Sequence, residues 1–171
     1  SKKLKTNFNK DRVYALLNSI ISEDTDARLF EVISYCLLKQ DYQNKGHILY
    51  RTGRTNANDG GIDFVLKPAG RFFQVTEVFN FEKYFLDIEK LLHFPIAFVI
   101  KTELSSSDAS SRITADAKTK YKKEVLEKYL SCFEEIITLP NLRKILNEIK
   151  NKNQVKELLD ELIVQYQIEY N

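Results

Sequence analysis

Asp59-Gly60-Gly61-Ile62-Asp63-Phe64-Val65-Leu66-Lys67-Pro68-Ala69-Gly70-Arg71-Phe72-Phe73-Gln74-Val75-Thr76-Glu77 is the stretch from which the rest of the chain can be placed. Residues 62–66 are apolar except for one carboxylate, Asp63, and are expected to form a strand. Pro68-Ala69-Gly70 is a turn signal, because proline presets one backbone angle and glycine accepts a positive φ. Residues 71–78 then alternate as a hairpin-paired second strand should. Alternation puts Gln74 and Thr76 on one face and Phe73, Val75 and Glu77 on the other.

A carboxylate within such a strand is costly to bury unless a cation compensates it. The hairpin can bring Asp63 beside Gln74, with the Val75 carbonyl as a further oxygen donor. Hard cations such as Mg2+ take oxygen sets of this kind and keep several waters. The residues therefore point to a divalent-cation site suited to phosphodiester cleavage.

The pattern resembles the PD-(D/E)XK nuclease superfamily, most closely restriction endonucleases of the Mrr and ApaLI-like kind. Their second half-motif can read Gln-x-Lys, and Asp63 precedes Gln74 by an interval within the family's range. The resemblance implies an α/β fold with a restriction-endonuclease-like mixed β-sheet core flanked by helices. It assigns Asp63 as the metal-binding aspartate, Gln74 as the second ligand and the Val75 carbonyl as a third. It also implies a helix before the hairpin that carries a glutamate, the place of Glu31. By spacing alone, Glu31 belongs on the solvent side of an apolar stripe.

The family's lysine falls on Thr76. That lysine orients or activates water and offsets charge developing on the phosphate, a large effect in such reactions. Thr76 can orient water but carries no charge, so Lys67, Lys83 and Lys101 become candidates to reach in from elsewhere. The activity implied is that of an Mg2+-dependent endodeoxyribonuclease of type II restriction kind, with Mn2+ as a substitute. The alternative is a catalytically weak or inactive nuclease-fold module that binds DNA or a protein partner. Double-stranded DNA is the implied substrate, and cutting both strands of a palindrome calls for a homodimer.

The remaining segments fit one domain over residues 1–171, and the start at Ser1 without any methionine raises the expectation of an excerpt from a longer protein. Residues 1–10 form a basic lead-in, 27–101 the core motif region and 112–171 a helical remainder. Helical periods cover residues 11–21, 27–40 and 79–93, and 22–26 supply caps between the first two. Residues 41–47 are expected as a loop and 48–50 as a short strand. The apolar run 94–100 suits a buried parallel strand reached by a right-handed crossover. Serine-rich residues 103–111 are expected as a surface loop, 112–132 as one long basic helix, and 133–139 as a last strand. Two helices, the second over 154–170, complete the chain.

Arg51, Arg54, Asn56 and Asn58 lie in a glycine-rich connector beside Asp63 and are the candidates for contact with a phosphate backbone. A net charge of +2 gives no global basic field, so such contacts must be local. Cys36 and Cys132 have no metal-ligand spacing with each other or with His47 and His93, which favours buried thiols. No apolar run reaches membrane-spanning length and no secretory signal is visible, so a cytoplasmic location without a membrane partner is expected.

Overall fold

The computed structural model describes residues 10–22, 26–53 and 62–171. They form a mixed five-stranded sheet between two helical layers, in the order α1 (Lys10–Ser22), α2 (Ala27–Asn44), β1 (Ile48–Arg51), β2 (Phe64–Lys67), β3 (Arg71–Thr76), α3 (Phe81–Lys90), β4 (Ile96–Ile100), α4 (Ser106–Lys118), α5 (Lys123–Leu130), β5 (Phe133–Ile137), α6 (Leu139–Glu148) and α7 (Lys152–Tyr170). The strands lie in chain order: β1, β2 and β3 are antiparallel, and β4 and β5 run parallel to β3.

The β2–β3 hairpin forms where the turn chemistry places it. Gly70 adopts φ +66° and its N–H reaches the Leu66 carbonyl at 2.9 Å, a conformation that glycine takes without a Cβ penalty. Phe64 lies opposite Phe73 and Val65 opposite Phe72. β4 is buried along its whole length, and its residues divide between two cores. Ala97 and Val99 join α1, α2, α6 and α7 on one face, whereas Ile96, Phe98 and Ile100 join α3, α4 and α5 on the other. The α3–α5 layer packs over β3 to β5. Ile48 and Tyr50 of β1 remain about half exposed on that side, while Leu49 between them is buried.

Several boundaries differ from the sequence expectation. Asp26 caps α2 by accepting the Arg28 N–H, but the helix continues through Asp41–Asn44, which had the polarity of a loop. Tyr42 in that last turn is buried and stacks edge-on to Phe73, and this contact outweighs the local polarity. The serine-rich segment is helical: Ser105 caps α4 by accepting the Asp108 N–H, and Ala109, Ile113 and Ala117 form its buried stripe. The long basic helix is two, broken between Lys118 and Lys123. Cys36 and Cys132 are buried free thiols, and burial pushes the Cys36 thiol well up. No helix among the described residues is long and apolar enough to cross a membrane.

Candidate functional site

Asp63 stands one residue before β2, at a break in the ladder. Its N–H bonds the Phe73 carbonyl at 2.8 Å, and its carbonyl accepts the Thr52 N–H at 2.9 Å. Its carboxylate accepts the Val75 N–H at 2.7 Å, in place of a main-chain acceptor. The side chain is thus anchored across the hairpin to the residue between Gln74 and Thr76. The Thr76 carbonyl turns to β4, where it accepts the Lys101 N–H at 3.0 Å. Strand alternation then turns the Val75 carbonyl to the β2 side, toward Asp63.

Gln74 and Thr76 share the face of β3 that α3 covers. The link from β3 to α3 is held by Tyr84, whose hydroxyl donates to the Val78 carbonyl at 2.6 Å and accepts the Asn80 N–H at 3.1 Å. Burial pushes this phenol up to about 12, so it stays protonated as a donor. Asn80 then caps α3 by accepting the Glu82 N–H. This start places Lys83 over the sheet, with Nζ 3.0 Å from Thr76 Oγ1.

Of the three lysines named from sequence, Lys83 therefore reaches Thr76. Lys101 turns toward the other face, 3.5 Å from Glu77 Oε1 and above the Phe30 ring. Lys67 lies over the Tyr50 ring.

Glu31 and Arg51 are placed differently from expectation. Glu31 is buried, not solvent-facing, because its Oε2 accepts Arg51 Nε at 2.8 Å. Arg51 also reaches Glu169 Oε2 of α7 at 2.6 Å, and its side chain is 3% exposed. Burial opposes the Arg51 charge, but its bonds to Glu169 and Glu31 outweigh that and raise its pKa. Arg51 thus joins α2, β1 and α7 instead of presenting a surface to phosphate, and Glu31 balances it instead of standing free for a metal. No local sequence signal marks this network, whose members come from three distant segments. Arg54, Asn56 and Asn58 lie outside the described residues, as do Gly60, Gly61 and Lys2, Lys3 and Lys5 of the lead-in.

Asp87, one helical turn beyond Lys83, had no place in the sequence reading. It is 4% exposed, and its Oδ2 has no hydrogen-bond partner among the described residues. Burial holds its carboxyl above the ordinary aspartate value of 3.8, while Lys83 and Lys90 pull the other way. A carboxyl whose folded pKa is raised gives stability that is complete below the unfolded pKa and lost as pH rises through the folded one. Asp87→Asn is therefore expected to raise the unfolding free energy at pH 7 by about 1 kcal/mol. The gain should vanish near pH 3.5 in urea melts across that range; an equal gain at both pH values would remove the electrostatic account.

Among the described residues, no three His, Cys, Asp or Glu side chains converge as a metal-binding group. A scan of the sequence against protein-family models and a search of curated proteins gave no match.

Proposed function

We propose that the chain is a metal-dependent endodeoxyribonuclease with a restriction-endonuclease-like core. The observation that carries this reading is Lys83 Nζ at 3.0 Å from Thr76 Oγ1, because it returns a positive charge to the one motif position that lacks it. The succession of α2, the β1–β2–β3 meander, α3 and a parallel β4 supports it further. Asp63, the Gln74 amide oxygen and the Val75 carbonyl form an all-oxygen donor set suited to Mg2+ or Mn2+, which need few protein ligands when waters complete the shell. When bound, such a cation supplies Lewis-acid stabilisation and acidifies water.

The chain's own groups have separate tasks. The Val75 N–H holds the Asp63 carboxylate across the hairpin and so sets its direction. Lys83 offsets charge that develops on the phosphate. Thr76 holds the lysine amine in place.

Glu31 favours a second reading. Its engagement by Arg51 leaves Asp63 as the single carboxylate of the assigned ligand set, which suits a DNA-binding module without turnover.

Nicking of supercoiled plasmid in Mg2+ and Mn2+ decides between the two. Wild type should cut, and Lys83→Met should be slower by about 100-fold. Thr76→Lys in the Lys83→Met background should recover part of the rate by restoring the charge from the strand. If wild type leaves plasmid intact with both ions, the module reading replaces the nuclease.

A further inference from the structure

α4 and α5 bring a basic surface against the N-terminal end of α3. Segment 112–123 carries Arg112, Lys118, Lys120, Lys122 and Lys123 against one carboxylate, Asp116, in a chain whose net charge is only +2. The structure ties this segment to residues 79–85. Arg112 lies over the Phe79 ring at 5.3 Å and Lys120 over the Phe81 ring at 5.7 Å. Tyr121 packs on Phe81 and Phe85, and Lys120 pairs with Glu82, the neighbour of Lys83. All five cationic side chains are on exposed residues, with Arg112 63% and Lys120 59% open to solvent.

From this geometry we infer that Arg112, Lys118, Lys120, Lys122 and Lys123 form the track on which the phosphate backbone of duplex DNA lies as it enters the Asp63–Lys83 site. The inference rests on the nuclease-fold reading and adds the surface that holds the substrate. Charge complementarity selects the occupant: a duplex presents a negative charge about every 1.7 Å of axis, and lysines that neutralise phosphates release condensed counterions. Continuity selects the place, because Glu82 and Lys83 are adjacent and link the ridge to Thr76. The break at Thr119–Lys122 turns the chain, so the cations span two helices and not one solvated face.

The test is binding of a fluorescein-labelled 30-base-pair duplex, followed by anisotropy in Ca2+ between 50 and 300 mM KCl. It compares wild type with Lys118→Glu/Lys122→Glu/Lys123→Glu. The triple variant should bind at least 10-fold more weakly at 100 mM KCl. Its log–log salt slope should be shallower by about 2 to 3, roughly one per lost phosphate contact. Its thermal midpoint, recorded in parallel, should remain near wild type because all three lysines are exposed. Equal affinity and slope in wild type and the folded triple variant would overturn the track. Plasmid cleavage by wild type would still uphold the nuclease reading in that case. Failure of wild type to bind or cut would remove both.

Discussion

Asp63→Asn is expected to abolish metal-dependent cleavage while leaving the hairpin folded. The asparagine side-chain oxygen can still accept the Val75 N–H, now 2.7 Å from the carboxylate, so the cross-hairpin anchor survives. What disappears is the negative charge, which a hard cation requires from at least one ligand when carbonyl oxygens supply the others. Loss of one preorganised electrostatic contribution in such a site typically costs 10²–10³ in rate, and removal of the principal ligand should reach the upper end, about 1,000-fold. Asp63→Ala removes charge and acceptor together, so it should lose cleavage to the same degree and also stability, by about 1–3 kcal/mol for the orphaned N–H. Plasmid nicking and urea melts on both variants separate the two roles. Cleavage by Asp63→Asn within 10-fold of wild type would mean that the carboxylate serves the hairpin alone.

The second large effect is on stability. Arg51→Met should destabilise the fold by about 3–5 kcal/mol, the usual result of removing one partner from a buried ion pair. Glu31 and Glu169 would remain buried beside an apolar side chain, at 6% and 1% side-chain exposure. For a chain of this length the thermal midpoint should fall by on the order of 10 °C. The sequence-level expectation for Arg51, contact with a phosphate backbone, makes the opposite forecast: unchanged melting and weakened DNA binding. A midpoint within 2 °C of wild type would restore that expectation.

Much of the sheet could be read from sequence because its signals are local. Proline and glycine at 68 and 70 fix the hairpin, and the uninterrupted run at β4 admits little but a strand buried on both faces. The helix within the serine-rich segment was harder, although it had a signature. Ser105 followed by Asp108 is a capping pattern, and Ala109, Ile113 and Ala117 repeat at helical spacing. Small residues made that stripe faint beside five serines. Within the site, Asp63, Gln74 and Thr76 could be grouped because they share one hairpin. Lys83 could be named but not chosen over Lys67 and Lys101, because the choice depends on how Tyr84 and Asn80 set the start of α3. Glu31 and Arg51 were misplaced for a related reason. Glu169, which binds Arg51, stands 118 positions beyond it, and no local pattern records a contact of that separation.

That separation also bears on the order in which the molecule can mature. While the chain is being synthesised, Glu31 and Arg51 emerge early, and Glu169 only after β2 to β5 and their helices have been made. Until α7 arrives, one acidic partner of the guanidinium is missing, and the β1 edge has a reason to stay hydrated. Final drying of this corner must wait for one of the longest loop closures in the protein. A ribosome-arrested chain ending near residue 150 should accordingly leave β1 open to protease even where the hairpin beside it already resists.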